Sequence, residues 1–350
     1  MYKQDLRTAY RIVGAEVLWA VRYFYLQMFA DTKVPANLVK KVWAAQLWKE
    51  AQRDNFFAKF TGTSTDSIIQ KVTQLQKEKG DQITIPLMMR LTGDPIMGDA
   101  MLEGNEEALQ FYDYSVTINQ FRHAVRLEGA MEEQKTILDL RTAAKDGLKT
   151  WLTEYIENQI VKALTASPTT SHAMYAGSNT AEGTITATDL LTTDLISAAA
   201  RKAKTMSPKI RRPKVNGKEY YILLVDPYQA RDLKKDTKWL QAQYNCAERG
   251  IENPLFSGML GVWDGVVLHE YENLQRTQTG ASKAMVGHAL LLGCQAGVQA
   301  IGKEPFWKEK SFDYENKVGF AVGGIMGFGK SKFNEKDFGV VQIITSSAND

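Results

Sequence analysis

Met131-Glu-Glu-Gln-Lys-Thr-Ile-Leu-Asp-Leu-Arg-Thr-Ala-Ala-Lys-Asp-Gly-Leu-Lys-Thr-Trp-Leu-Thr-Glu-Tyr-Ile-Glu-Asn-Gln-Ile-Val-Lys-Ala-Leu-Thr-Ala166 is the strongest helical pattern in the chain. Leu140, Ala144, Leu148, Trp151/Leu152, Tyr155, Ile156, Val161 and Leu164 track one face, while Glu132, Glu133, Asp139, Glu154 and Glu157 lie largely off it. Acids in the first turn suit the positive end of the helix dipole. The spacing predicts one helix over 131–166, about 50 Å long and well above the usual length.

Upstream, the period changes from helical to two. Ile83, Ile85, Leu87, Met89 and Leu91 alternate with Gln82, Thr84, Pro86, Met88 and Arg90, the pattern of a half-buried strand. Pro86 lacks a ladder donor, which points to an edge strand. A turn-rich stretch follows (Gly93-Asp94-Pro95, Gly98-Asp99, Gly104-Asn105), and alternation returns at Tyr114, Val116 and Ile118. The simplest account is a long two-stranded hairpin over 81–127 with an acidic, glycine-containing tip. Such a ribbon is only marginally stable alone and needs a surface to lie on. Residues 1–60 read as a helical, aromatic, basic arm. Trp19, Tyr23, Leu26 and Phe29 recur at helical spacing, as do Val39, Trp43, Leu47 and Phe56, with Pro35 between the two pieces. The arm carries more aromatic surface than it can bury on itself, so it is expected to dock on the body or on another chain.

Downstream, small and polar residues over 167–183 read as a surface loop, and 189–206 as a helix capped by Thr188 or Asp189. Tyr220 to Val225 reads as a buried strand, and Asp226-Pro227 opens a helix through about Gln243. Beyond Asn253-Pro254, strands are expected at 262–269, 284–292, 317–321 and 338–345. The fold class is therefore α+β.

At 350 residues the chain is long for a single core. The net charge of +3 hides blocks of opposite sign. Residues 1–60 hold ten basic and five acidic side chains, 94–121 hold six acids and no Lys or Arg, and 201–218 hold eight basic residues and no acid. Near-neutral balance argues against a dedicated nucleic-acid binder, whereas opposing blocks suit self-association. Cys246 and Cys294 read as free thiols of a reducing compartment. The apolar runs at 12–28 and 286–301 are interrupted by polar residues, so neither a signal peptide nor a membrane span is expected.

The search for chemistry finds one motif. Gly324-Ile-Met-Gly-Phe-Gly-Lys330-Ser331 fits the phosphate-loop pattern letter for letter, but a phosphate loop needs a helix starting at its lysine. The chain enters the strand at Phe338 within eight residues, and only nineteen residues follow Ser331. The run is read instead as a glycine-rich turn between two strands. His123, His172, His269 and His288 have no second ligand at metal spacing, and no nucleophile or acid/base pair stands out. No catalytic, cofactor-binding or metal-binding residue is therefore assigned.

Several stretches together resemble one family. Gly80-Asp-Gln-Ile-Thr-Ile is followed by Leu91-Thr-Gly, Leu102-Glu-Gly-Asn-Glu-Glu-Ala-Leu and Arg122-His-Ala-Val-Arg126. Gly129, Met131, Glu133, Gln134, Asp139, Arg141, Ala144 and Trp151 continue the match, then Asn216-Gly-Lys-Glu-Tyr-Tyr, Pro227-Tyr-Gln and Arg231-Asp-Leu. Asn253-Pro-Leu-Phe-Ser-Gly, Gly265-Val-Val-Leu-His-Glu, Asp313-Tyr-Glu-Asn-Lys and Asp337-Phe-Gly-Val complete it over roughly 37–347. Together they resemble the major capsid proteins of tailed bacteriophages, in the branch typified by the coat protein of coliphage N-four. The resemblance implies the Hong Kong 97-type fold: an N-terminal arm (1–60), an extended hairpin (81–127), a peripheral lobe (128–225) with its spine helix (131–166), to which C-terminal strands also contribute, an axial lobe (226–337), and a C-terminal strand (338–350) returning to the peripheral lobe. It implies self-assembly into pentamers and hexamers of an icosahedral shell around double-stranded DNA, touched without sequence specificity. Portal, scaffolding and decoration proteins are the other expected partners, and the setting is the virion, assembled in the bacterial cytoplasm, with no membrane partner. Candidate subunit-interface residues are Arg90, Glu103, Asn105, Glu106, Glu107, Arg122, His123, Arg126, Arg211 and Arg212. The alternatives are an encapsulin-type compartment and, disfavoured, a nucleotide-binding enzyme built on Gly324–Ser331.

Overall fold

A computed structural model describes residues 51, 55–76, 80–88, 91, 93–99, 101–135, 139–215, 218–244 and 259–349. Most of the expected basic arm, together with Arg90, Cys246 and the Asn253–Gly258 stretch, lies outside these residues. Along the chain the strands are β1 (Thr61–Gly62), β2 (Ile69–Val72), β3 (Gln82–Met88), β4 (Phe111–Thr117) and β5 (Asn119–Arg126). Helices α1 (Ala130–Lys135) and α2 (Leu140–Thr165), strand β6 (Ala173–Tyr175) and helix α3 (Thr193–Thr205) follow. Next come β7 (Lys214–Val215), β8 (Lys218–Glu219), β9 (Tyr221–Val225), α4 (Pro227–Lys234) and α5 (Thr237–Tyr244). The rest is strand: β10 (Met259–Trp263), β11 (Val266–Glu270), β12 (Arg276–Thr277), β13 (Val286–Leu292), β14 (Gly297–Phe312), β15 (Lys317–Lys330), β16 (Lys332–Phe333), β17 (Lys336–Asp337) and β18 (Val340–Ser346).

The single helix expected over 131–166 is two pieces. Asp139 has extended backbone (φ −71°, ψ 96°), and its carboxylate accepts the backbone N–H groups of Arg141 and Thr142. The Thr142 hydroxyl donates to the same carboxylate at 2.7 Å. A capped start satisfies donors that a continuous helix would have paired internally, so a new helix begins at Leu140. The remaining 26 residues span about 39 Å. Ala144, Leu148, Leu152, Ile156, Ile160, Val161 and Leu164 form the buried face, as the spacing requires.

That face belongs with a five-stranded sheet of order β1-β2-β14-β15-β5. Its centre is the antiparallel pair β14–β15, 16 and 14 residues long, with register shifts between Ile301 and Lys303 and between Lys303 and Phe306. The shifts mark bulges, which bend a strand and increase its twist. β5 is the edge strand, antiparallel to β15 from Arg126↔Gly319 to Asn119↔Met326.

The second sheet has seven strands, ordered β10-β11-β9-β13-β18-β6 with β12 on β13. Every residue of β9, β13 and β18 is buried, so both faces are covered. On one face α3 buries Ile196, Ala199, Ala200 and Ala203, whose small side chains admit close approach to Leu223, Leu291, Val341 and Ile343. Thr192 caps α3 by accepting from Leu195 N; of the two expected caps, Asp189 instead accepts from Thr186 and Asn179 in the preceding loop, and the Thr188 hydroxyl pairs with that of Thr186. The helix expected through Gln243 breaks because Asp236 accepts from Thr193 N, Thr193 Oγ1 and Lys238 N, which restarts the chain as α5. The strand expected at 262–269 is a hairpin: Asp264 and Gly265 both have positive φ, 46° and 76°, the twist of a tight two-residue turn.

Strand pairing joins segments from both expected lobes. β14 and β15 (297–330), placed with the axial segment 226–337, form the sheet that packs against α2. The C-terminal strand, expected to return to the peripheral lobe, runs between β13 and β6 in the seven-stranded sheet. The 324–331 run is no turn at all: it continues β15 through Lys330.

Candidate functional site

The hairpin forms as the alternation requires. β3 and β4 are antiparallel from Gln82↔Thr117 to Met88↔Phe111. Ile83 and Val116 turn inward onto Val298 and Ala300 of β14, so one face of the ribbon is anchored on the five-stranded sheet. The ribbon ends at Thr117, and 119–126 leave it to become β5. Glycines on β15 make the anchoring possible. A Cβ on Gly327 would stand 2.3 Å from Thr117 O, and one on Gly329 would stand 2.3 Å from the Tyr114 hydroxyl.

Between the strands the chain makes an excursion whose described residues from 101 to 110 are all exposed. Glu107 Oε2 accepts from Gly93 N and Glu106 Oε2 from Gly104 N, each at 2.7 Å, and Asn105 Nδ2 donates to Met101 O at 3.0 Å. The excursion therefore holds its own shape. Around Glu103, Glu106 and Glu107 lie Met97 (77% exposed), Met101 (71%), Leu102 (64%), Leu109 (53%) and Phe111 (62%). Large apolar side chains exposed this densely are unusual on a surface that meets only water.

Arg122, His123 and Arg126 share the edge strand β5 and are exposed. His123 stacks on Trp151 of α2, ring centroids 4.6 Å apart. The Arg126 guanidinium lies 4.9 Å above the Phe312 ring. The three residues thus share one edge strand, with His123 packed on the spine helix and Arg126 on β14. Arg211 and Arg212 sit elsewhere, in a cleft with Asp66, Lys204, Lys209, Lys214, Glu219 and Tyr221. Arg211 pairs with Asp66 at 3.1 Å and donates to Thr65 O at 2.9 Å, and Arg212 pairs with Glu219 at 2.8 Å. The sequence reading missed Asp66, since nothing local ties position 66 to 211, whereas Lys204 falls within the basic block at 201–218.

The phosphate-loop reading fails on geometry. Lys330 is 3% exposed. Its ammonium donates to Ala166 O (2.6 Å) at the end of α2 and to Asp337 Oδ2 (2.9 Å). Burial pulls its pKa below the ordinary value, partly opposed by Asp337. The backbone is strand, not a cradle, and β16 follows rather than a helix. Cys294 is a free, buried thiol donating to Asp66 O, and burial pushes its pKa up to about 11. Among the described residues no group of three or more His, Cys, Asp or Glu could hold a metal ion, and no helix is long and apolar enough to cross a membrane.

A second buried cluster joins three elements. Glu157 of α2 accepts from Phe56 N at 2.5 Å and from the Tyr271 hydroxyl at 2.9 Å. Burial, reinforced by Glu157, drives the Tyr271 pKa strongly upward. Phe56 and Phe57 pack on the Tyr271 ring. Phe60 meets His269 edge to face at 5.3 Å.

The chain is similar to known phage proteins along nearly all of its length. A family model described as "Phage capsid protein" matches residues 32–170 and 157–349. The major capsid protein of Pseudomonas phage KPP25 is 31% identical, over 89% of this chain and 96% of that protein. Among solved structures, the capsid of Ralstonia phage GP4 aligns with a TM-score of 0.77 at 31% identity, covering 85% of this chain and 92% of that one. The cyanophage Pam1 capsid gives 0.72 at 26% identity, covering 84% and 92%. The α+β Hong Kong 97-type fold is the one these capsids share with the sheets, hairpin and spine described above. Matched across both halves by that family model, the chain belongs to the phage capsid protein family.

Proposed function

We propose that this chain is the major subunit of a phage head, whose copies form pentamers and hexamers of an icosahedral shell enclosing double-stranded DNA. Portal, scaffolding and decoration proteins are its further partners, and assembly takes place in the bacterial cytoplasm. The observation that carries this reading is the hairpin excursion. Its five large apolar side chains (Met97 to Phe111) stay exposed, with no surface of the described part of the chain covering them. A second copy supplies one. β5 is an edge strand with exposed Arg122 and Arg126, and unpaired strand edges invite pairing with another chain. Glu103, Asn105, Glu106 and Glu107 of one copy meet this basic edge on the next, with complementary charge setting register.

Electron microscopy of the purified, overexpressed chain is expected to show uniform shells or capsomers. A monodisperse monomer under all conditions would refute the reading. Glu106→Lys combined with Glu107→Lys should leave the circular dichroism spectrum unchanged yet impair assembly at moderate salt; normal shells from that variant would remove the acidic excursion from the interface.

A further inference from the structure

The cleft that collects Arg211 and Arg212 has a volume of about 550 Å³, within the range of small-ligand sites. It lies where the C-terminal end of α3, the 209–214 segment, β8 and the start of β9 converge on Asp66. Five cations line it, Lys204, Lys209, Arg211, Arg212 and Lys214, against two carboxylates. Both carboxylates are already engaged, Asp66 by Arg211 and Glu219 by Arg212. Lys204, Lys209 and Lys214 are left without an acidic partner among the described residues. Three uncompensated ammonium groups around one concavity repel each other, and a concave wall concentrates their field. A bound polyanion relieves that repulsion. Meanwhile the ion-paired arginines, fixed by Asp66 and Glu219, keep further N–H donors in the planar array that suits phosphate oxygens.

We propose that this cleft is a binding site for phosphate groups, with Lys204, Lys209 and Lys214 supplying the charge and Arg211 and Arg212 the oriented donors. The acidic excursion of a second copy is a poorer fit. Its acids are interleaved with Met97, Met101, Leu102 and Leu109, whereas the cleft offers only Ile210 and the Tyr221 ring as apolar lining. Phosphate can come from a free polyphosphate or nucleotide that enters the cleft. It can equally come from a DNA backbone lying across the mouth, which presents one charge per roughly 1.7 Å of duplex.

The test is titration calorimetry on the full chain with three probes: sodium tripolyphosphate, a short DNA duplex, and a synthetic peptide of residues 93–110. The same titrations are run on the triple variant Lys204→Gln/Lys209→Gln/Lys214→Gln. All three lysines are exposed or half-buried, and an unchanged unfolding midpoint verifies that the variant folds. Tripolyphosphate binding that weakens at least tenfold in the variant supports the site with a free anion as its source. Duplex binding whose salt dependence (log K against log salt) loses a slope of about 2.7, three phosphate contacts, supports it with DNA as the source. Binding of neither phosphate probe, binding unchanged in the variant, or binding of the peptide alone would each overturn it. Shell formation is read separately by microscopy, so failure here leaves the assembly reading standing.

Discussion

Lys330 ends β15 with its ammonium inside the protein, and its partners explain why it is there. α2 ends at Thr165, and Lys330 satisfies the carbonyl of the next residue, Ala166, while neutralising Asp337. Asp337 in turn accepts from Thr169 N, so one ion pair joins helix end, loop and C-terminal strands. Removing one member of such a pair leaves an uncompensated buried charge, at a cost of about 3–5 kcal/mol. Lys330→Met is expected to destabilise the fold by that order in urea unfolding, and adding Asp337→Leu should recover most of the loss. A single variant within about 0.5 kcal/mol of the parent would show that the pair is dispensable. Sequence alone displays the lysine but not its role. Asp337 is only seven positions away, yet the helix end it secures is 164 positions away, so the glycine-lysine-serine string mimics a nucleotide site by letters while its geometry does something else.

At the level of elements, legibility followed the clarity of the period. Helix α2 and ladder β3–β4 were readable because each buries one face and exposes the other, which forces apolar residues into 3.6- or 2-residue spacing. Of the long pair β14–β15, only the start of β15, at 317–321, was. β15 carries Gly319, Gly323, Gly324, Gly327 and Gly329, residues that weaken a strand locally and read as turns. They are present because β5 and the hairpin approach that surface closely, a long-range requirement invisible in a local window. Gly329→Ala sets this against measurement. The new Cβ would press on the Tyr114 hydroxyl, and overpacking of this kind costs about 1–3 kcal/mol. Tyr114→Phe removes the obstructing oxygen, so the double variant should regain stability relative to Gly329→Ala alone. If the two losses simply add, the hydroxyl is not what demands glycine.

Across the whole molecule, two buried histidines couple stability to pH. His288 on β13 lies 3.3 Å from Glu182, but burial outweighs that attraction and holds its pKa below the ordinary 6.5. His172 is lowered in the same way, against the pull of Asp337. Both are therefore neutral in the folded state at pH values where the unfolded chain already binds protons. Their contribution is undiminished above 6.5 and is lost as pH falls through 6.5 toward the folded values. Urea midpoints measured from roughly pH 7.5 to 5 should decline on acidification, and His172→Gln/His288→Gln should flatten the decline; an unchanged slope would assign it to other groups. The charged surfaces were partly legible at this scale. The charge blocks located the acidic excursion and the basic cleft, because surface charge is not hidden by folding. Which cations are already spent inside the chain was not legible, since Asp66 reaches Arg211 across 145 positions.

The five-stranded sheet also has a consequence in time. β2 pairs with β14 and β5 pairs with β15, so Ile69 meets Gly297 and Arg126 meets Gly319, partners separated by about two hundred residues. On a ribosome adding roughly 5–20 residues per second, β2 and β5 wait on the order of 10–40 s for strands that have not yet been synthesised. During that interval the basic edge is present without the sheet that displays it, so a nascent or prematurely terminated chain has no finished surface to offer a neighbour.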